Sequence, residues 1–274
     1  MGPMGTDARV VFTAFSNRAD AIQLANEAGE RLAERGVTWA LHLLDTEPSP
    51  SLRDDTLVVS LGGDGTFLRS ARLAHRFGAR VLAVNLGRLG FLLNVPSSDV
   101  LHDIDHALGP THEVARLALQ ITMPDGTSEF ALNEVVVERA RQGHMVRVKS
   151  FVDDDEYLTY AADAVMVSTP TGSTGYNFSA GGPVVDTALP VMILTPVAPH
   201  FTIDRSIVVG GDRDIRLVAD GKPAVVLADG QVVGRLDADQ WVLVRQSPDP
   251  VRVVATRSFE VGFRLRESLR EGHA

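Results

Sequence analysis

The sequence predicts an α/β domain built on a parallel sheet, followed by an all-β domain. Three observations carry that expectation. Strand-like and helix-like runs alternate through the first third of the chain. After about residue 110 the helical spacing stops, and short alternating runs separated by turn signals take over. Between the two patterns, a continuously apolar run ends in a glycine loop, as buried parallel strands often do.

The elements follow in order. Arg9–Phe15 is a short β-branched run. Asp20–Arg35 has helical spacing, with Ile22, Leu24, Ala25, Ala28 and Leu32 on one side. Thr38–Leu44 reads as a strand. Thr56–Leu61 is a buried strand that runs into Gly62-Gly63-Asp64-Gly65. Thr66–Phe77 then reads as a helix with Gly78 as its stop, and Arg80–Asn85 as the next buried strand. A boundary is expected near Gly109-Pro110. Beyond it, Leu117–Met123, Ser128–Glu138, Met145–Val152, Ala164–Ser168, Ser206–Val209, Ile215–Ala219, Ala224–Leu227 and Trp241–Arg245 read as strands. Pro124-Asp125-Gly126, Asp220-Gly221 and Asp229-Gly230 are turns between them. The end, Arg257–Arg270, is mixed, and a strand and a helix returning to the first domain are expected there.

Composition removes several classes of function. With 274 residues and 45% apolar content, the chain can bury a sizeable core. A net charge of −9 speaks against a nucleic-acid or membrane-surface binder, since both need a basic face. No run of 18 apolar residues is present, so no membrane-spanning helix is expected. The absence of cysteine removes disulfides and thiolate metal sites and fits a reducing cytoplasm. Lys149 and Lys222 are the only lysines, and neither belongs to a Gly-x-x-x-x-Gly-Lys-Ser/Thr loop, which excludes a P-loop enzyme.

Two segments carry the chemistry. The first is Gly62-Gly63-Asp64-Gly65-Thr66, placed at the carboxyl end of a buried strand where open α/β sheets bind ligands. Glycines there let the backbone approach phosphate oxygens, and the helix start adds N–H groups and the positive end of a dipole. A carboxylate repels phosphate, so Asp64 makes sense as a base for an acceptor hydroxyl, as a metal-linked group, or as a helix cap. Arg69, one turn from Thr66, is either a phosphate neutraliser or an ordinary solvated arginine. The second segment runs from Thr169 to Pro183. Its hydroxyls, amides and aromatic suit a phosphate, sugar or base; the plainer reading is a flexible Ser/Gly linker, against which Pro170, Tyr176 and Phe178 argue. Asn133-Glu134 breaks the alternation of an otherwise β-branched strand, Phe130–Val137, so one of the pair faces inward or lines a cleft. Asp163 is a further candidate carboxylate. His144 and Gln231 sit in or beside turns and have no distinctive pattern alone.

Taken together, these segments resemble the NAD kinase family. The likeness is carried by Gly62 through Arg69, Val84-Asn85-Leu86-Gly87-Arg88-Leu89-Gly90-Phe91-Leu92, Leu132-Asn133-Glu134-Val135, Ser168 through Thr174, Ser179-Ala180-Gly181-Gly182-Pro183, Thr195 through His200, and Asp229-Gly230-Gln231. Gly-Gly-Asp-Gly is shared with diacylglycerol, sphingosine and phosphofructokinase-type enzymes. Thr-Pro-Thr-Gly-Ser-Thr together with Asn-Glu is far more specific.

The resemblance implies a Rossmann-like N-terminal domain over 1–109, a β-sandwich-like C-terminal domain over 110–250, and a tail over 251–274 that returns to the first, with the active site between the domains. It implies phosphorylation of the 2′-hydroxyl of the adenosine ribose of NAD, from ATP or polyphosphate with magnesium or another divalent cation. Asp64 would accept the hydroxyl proton. Gly62, Gly63, Gly65 and Thr66 would lie against the donor phosphates. Asn133 and Glu134 would contact the dinucleotide, with Asp163 assisting; Thr174, Gly175, Tyr176 and Ser179 would hold ribose and base. Gly65, Arg69, His144 and Gln231 match further contact positions. A cytoplasmic homodimer or homotetramer is expected. Three departures stand out: Gly175 where the family favours Ala, Ala164 where it favours Gly, and Ser206 where it favours Pro. Gly175 is expected to loosen the loop and alter the choice between NAD and NADH. A lipid or other small-molecule kinase of the same superfamily, or a catalytically weak dinucleotide sensor, remains as the alternative.

Overall fold

The apolar run ahead of the glycine loop lies at the centre of a sheet. In the computed structural model, which describes residues 9–46, 50–87, 95–96, 100–109, 113–141, 143–200 and 203–255, the chain divides into two units. The first holds the chain up to Ala115 and takes it up again from Val251; the second is Arg116–Pro250.

The first unit runs β1 (Val10–Ala14), α1 (Ala19–Glu34), β2 (Trp39–Leu43), β3 (Leu57–Gly62), α2 (Asp64–Arg76), β4 (Arg80–Asn85), β5 (Val95–Pro96), α3 (Val100–Leu108) and β6 (Glu113–Arg116). Its sheet has the order β2-β1-β3-β4, then Val251–Val254, then β6. The first four strands pair in parallel, and every residue of β3 is buried, as expected of a strand covered on both faces. The chain passes from β1 to β2 on one side and then to β3 on the other. The order therefore reverses beside the carboxyl end of β3, which is where doubly wound sheets leave a crevice for ligands.

Helix α1 buries Ala21, Ala25, Ala28, Gly29 and Leu32, with the expected Ile22 and Leu24 only half-buried. At Gly29 the Trp39 ring fills the space where a side chain would stand. A β-carbon on Gly29 would come within 2.3 Å of it, and the ring in turn meets Phe12 edge-on at 6.0 Å.

The second unit begins with β7 (Leu119–Thr122), β8 (Ser128–Ala131), β9 (Glu134–Arg139), β10 (Val146–Val152), β11 (Asp155–Ala162) and β12 (Ala164–Ser168). A 3₁₀ turn (Gly172–Thr174) and the short α4 (Tyr176–Ser179) follow. The remainder is β13 (Val191–Val197), β14 (Ile207–Gly210), β15 (Ile215–Ala219), β16 (Ala224–Ala228), β17 (Gln231–Leu236) and β18 (Trp241–Gln246); β19 is the Val251–Val254 strand already placed in the first unit. Two six-stranded sheets result, β11-β10-β15-β18-β7-β8 and β14-β13-β12-β9-β16-β17. Their inner faces share one core, with Ile121, Val148, Leu217 and Val242 from the first sheet and Val137, Val165, Leu194 and Val226 from the second. This is a β-sandwich. Strand β10 alternates buried and open positions, whereas β12 is buried throughout. The difference arises because the outer face of the second sheet carries a smaller cluster of its own, where Ala180, just after α4, packs against Val136, Ala164 and Met166.

The expected Ser128–Glu138 strand is two strands in different sheets. The chain leaves the first sheet at Ala131, bends through Leu132-Asn133 and enters the second at Glu134. Strands β11, β13 and β17 were missed by the sequence pattern, and β19 pairs in parallel with β4. The strand and helix expected over Arg257–Arg270 lie outside the described residues.

Candidate active site

In the first unit, the turn from β3 to α2 is held by close packing at one glycine and left open at two others. A β-carbon on Gly62 would stand 2.2 Å from Thr66 Oγ1, so the strand can end there only as glycine. On Gly63 or Gly65 a β-carbon would meet nothing within 4 Å among the described residues. Gly63 is the N-cap and supplies no side chain to the helix start; Asp64 is the first helical residue, not a cap. The loop thus presents main-chain N–H groups and a half-buried carboxylate, with open space in front of the glycines. Ser70 locks α2 to the sheet by donating to Thr66 O at 2.8 Å and pairing with Thr13 Oγ1 at 2.7 Å. Arg69 is exposed, with its guanidinium over the Phe15 ring at 5.1 Å, beside the end of β1.

In the second unit, the polar segment after β12 is no linker. Thr169, Ser173 and Asn177 are fully buried. Thr169 Oγ1 donates to Leu132 O at 2.6 Å and accepts from Gly172 N at 3.0 Å. Ser173 Oγ donates to Pro170 O at 2.7 Å and accepts from Val185 N at 3.0 Å. Asn177 Nδ2 donates to Pro183 O at 3.0 Å, while its Oδ1 accepts from Thr195 Oγ1 at 2.7 Å. These bonds bring the loop hard against the sheet crossing: a β-carbon on Gly172 would be 2.2 Å from Asn133 O.

Three buried polar atoms are left over where the two segments meet. Asn133 Oδ1, Glu134 Oε2 and Ser168 Oγ have no hydrogen-bond partner among the described residues. Glu134 and Ser168 are directly paired across β9 and β12, and Gly175 lies over Asn133 and Glu134; its β-carbon would fall 3.6 Å from Asn133 Nδ2 and 3.8 Å from Glu134 Oε2. Buried polar atoms are nearly always satisfied, so this cluster calls for a polar ligand or ordered water. Burial, and then the charge of Asp229, push the Glu134 carboxyl up to about 7. Near neutrality it can offer either a donor or an acceptor.

Past Tyr176, toward the Glu138–Ala164 end of the same strand pair, is a cavity of about 430 Å³, within the size range of small-ligand pockets. Tyr176, Asp163, Glu138, Arg139, Val232 and Arg235 are among its lining residues. Arg139 is ion-paired with Asp163. Burial, followed by the charges of Glu138, Asp163 and Glu134, raises the Tyr176 hydroxyl above its ordinary range. The ring is half-exposed, free to stack on a planar group.

Of the residues expected from sequence, Asn133, Glu134 and Gly175 meet at one end of the β9–β12 pair, and Asp163 and Tyr176 line the cavity toward its other end. Thr174 and Ser179 belong to the same loop, with Thr174 half-buried and Ser179 exposed; Gln231 opens β17, two residues after Asp229. His144 is exposed in the turn before β10 and does not line the cavity. Gly62, Gly63, Asp64, Gly65 and Thr66 form the separate loop of the first unit. Arg88 through Leu92, part of the family likeness, lie outside the described residues. From the sequence, Ser168 stood out only as part of the family likeness, and Arg139 and Arg235 did not stand out. Asp229 stood out only as a turn residue and as part of the family likeness, though its carboxylate reaches back about a hundred residues to the Asn133 crossing. An Asp-Gly hairpin between two apolar strands was the available signal.

The sequence pattern of the ATP-NAD kinase C-terminal domain matches residues 132–256, and that of the ATP-NAD kinase N-terminal domain matches residues 52–111. The NAD kinase of Heliobacterium modesticaldum is 38% identical, over 93% of this chain and 96% of its own. The chain belongs to the NAD kinase family. Among other family relatives, NAD kinase 1 of Streptomyces avermitilis is 33% identical over 96% of this chain and 87% of its own. An NAD kinase from Archaeoglobus fulgidus, solved in complex with ATP, superimposes with a TM-score of 0.72 at 29% identity, covering 96% of this chain and 97% of that one. Yeast NADH kinase complexed with NADH has the same fold, with a TM-score of 0.82 at 21% identity over 96% of this chain and 87% of that one. As an NAD kinase, the chain is a phosphotransferase that phosphorylates NAD with ATP as donor.

Proposed function

We propose that this chain transfers the terminal phosphoryl group of ATP to the 2′-hydroxyl of the adenosine ribose of NAD, with Asp64 as the proton acceptor. The observation that carries the acceptor side is the cluster of orphaned buried atoms, Asn133 Oδ1, Glu134 Oε2 and Ser168 Oγ, with the Tyr176 cavity farther along the same two strands. A ribose diol supplies donors and acceptors for such atoms, and an adenine or nicotinamide ring can stack on Tyr176. On the donor side, the open faces of Gly63 and Gly65 leave room for phosphate oxygens against the main chain.

Phosphoryl transfer needs in-line positioning and charge neutralisation more than covalent chemistry. Backbone N–H groups of the loop stabilise charge on the transferred group. Asp64 orients the attacking hydroxyl and takes its proton. Arg69 adds positive charge one turn into the helix. A divalent cation, magnesium in this proposal, supplies further charge neutralisation on the donor phosphates. Among the described residues no group of three or more His, Asp or Glu side chains stands ready to hold a metal. That fits magnesium, which is usually held by one or two carboxylates and the substrate phosphates, and Asp64 is the carboxylate in the glycine loop.

Polyphosphate as a second donor, assembly into a homodimer or homotetramer, and a cytoplasmic location belong to the same proposal. No helix among the described residues is long and apolar enough to cross a membrane. The test is NADP formation by the purified chain, with ATP and polyphosphate in parallel and magnesium added or chelated. Phosphorylation of sphingosine or diacylglycerol in place of NAD would mark a lipid kinase. NAD binding in a calorimeter with no turnover on either donor would mark a sensor. Sedimentation at assay concentration reads the assembly.

A further inference from the structure

The carboxylate of Asp229 gathers three N–H groups from one stretch of main chain. Asp229 Oδ1 accepts from Asn133 N at 2.7 Å and from Glu134 N at 3.3 Å, while Oδ2 accepts from Leu132 N at 2.9 Å. In return Asp229 N donates to Glu134 O at 3.0 Å. Leu132 to Glu134 is where the chain passes from one sheet to the other, and Leu132 and Asn133 have left one strand ladder without having joined the next. A carboxylate collecting three N–H groups fixes such a bend far more firmly than water would. The local geometry is specialised for this. Asp229 sits at φ 48° and Gly230 at φ 75°, the two-residue turn that closes the β16–β17 hairpin and aims the side chain back at β9.

We propose that Asp229 is a positioning residue for the dinucleotide: its carboxylate holds the Leu132–Glu134 main chain in the conformation that aims Asn133 and Glu134 at the loop around Gly175. The proposal rests on the reading that Asn133 and Glu134 contact NAD. It adds a residue that touches no substrate and acts through two that do. It also gives Asp229 a second effect on the same site, because its charge is one of the causes that hold a proton on Glu134. The titratable groups that act around Glu134 are Asp229, from the β16–β17 turn, and Tyr176, from α4; Glu138, Asp163 and Arg139 act on Tyr176 in turn.

Two substitutions test this without straining the turn, since Asn and Gly both accept a positive φ. Asp229→Asn keeps one acceptor oxygen and removes the charge; Asp229→Gly removes the side chain. Steady-state constants are measured for NAD and for ATP across pH 5.5–8.5, with thermal melting to confirm folding. The expected result is a rise in KM for NAD of about tenfold or more, the scale of losing a hydrogen bond to a charged group, with KM for ATP nearly unchanged. In Asp229→Asn the ionisation near pH 7 in kcat/KM for NAD moves to lower pH, and in a Glu134→Gln background the Asn change no longer moves it. Two results overturn the proposal: an unchanged KM for NAD in both variants, or a parallel rise in both KM values with an unmoved pH profile. Asn133→Ala and Glu134→Gln separate the underlying reading. If they leave KM for NAD at its wild-type value, the contact itself is wrong; if they raise it while the Asp229 variants do not, the contact stands and the positioning role falls.

Discussion

The two loops solve the problem of holding a ligand in opposite ways. The Gly62–Thr66 turn has almost no side chains to place, and its one close contact, Gly62 against Thr66, serves to end a strand and start a helix. The Thr169–Ser179 segment is built from buried side chains that bond to each other, to the sheet crossing at Leu132-Asn133 and to β13. One site is made of main chain and open space, the other of a rigid polar frame with unpaired atoms at its edge. The difference fits what each is proposed to hold: a phosphate chain that any array of N–H groups can bind, against a ribose and base that need particular donors and acceptors.

Substitutions can break this comparison, the most damaging first. Asp64→Asn should lower kcat for NADP formation by about a thousandfold, within the range for losing a general base, with NAD affinity near normal by calorimetry. Next come paired glycines. Gly63→Ala should leave the melting temperature alone, since the new methyl meets nothing within 4 Å, yet lower kcat/KM for ATP by up to about a hundredfold through displaced phosphates. Gly172→Ala should do the reverse. Its methyl would be driven to 2.2 Å from a backbone carbonyl, costing roughly 3 kcal/mol of stability by overpacking and raising KM for NAD. Asn177→Ala should cost about 1–3 kcal/mol, since Thr195 Oγ1 loses a buried partner; chemical denaturation reads both.

A smaller effect tests the electrostatics. Glu134 has a folded-state pKa raised from 4.5 to about 7, so the folded form binds its proton more tightly than the unfolded chain does. Its favourable contribution is full below pH 4.5 and is lost as pH rises through about 7. Glu134→Gln should therefore flatten the decline in stability between pH 5 and pH 8, measured by denaturant unfolding. The smallest effect is expected at Gly175. A methyl there would sit at ordinary contact distances, the nearest 3.4 Å from Gly172 O, so Gly175→Ala should change KM for NAD by no more than about threefold.

The sequence made the first loop legible because its signal is local: an apolar strand, glycines and a helix start within a dozen residues. The strands β3 and β4 were equally plain, each carrying a mostly apolar run, Leu57–Leu61 and Val81–Val84. The second site was legible only as a list of polar residues. Whether Thr169 and Ser173 faced ligand or protein could not be read from their order, because the bonds that bury them reach Leu132 and Val185. The strand through Asn133-Glu134 was read as continuous because apolar residues flank it on both sides, Phe130–Leu132 before and Val135–Val137 after; the break depends on Asp229, about a hundred positions away. Tertiary contacts of that span leave no periodic trace. Family resemblance supplied what spacing could not; it included Asp229 in a matching segment but gave it no role, and the bonds of its carboxylate to the Leu132–Glu134 main chain appear only in the structure.

The most direct test of the central claim is a coupled assay of NADP formation from NAD and ATP, run on the wild-type chain and on Asp64→Asn side by side. The account predicts steady turnover by the wild type and a near-complete loss in the variant, with NAD still bound. Turnover at wild-type rate in Asp64→Asn would contradict it.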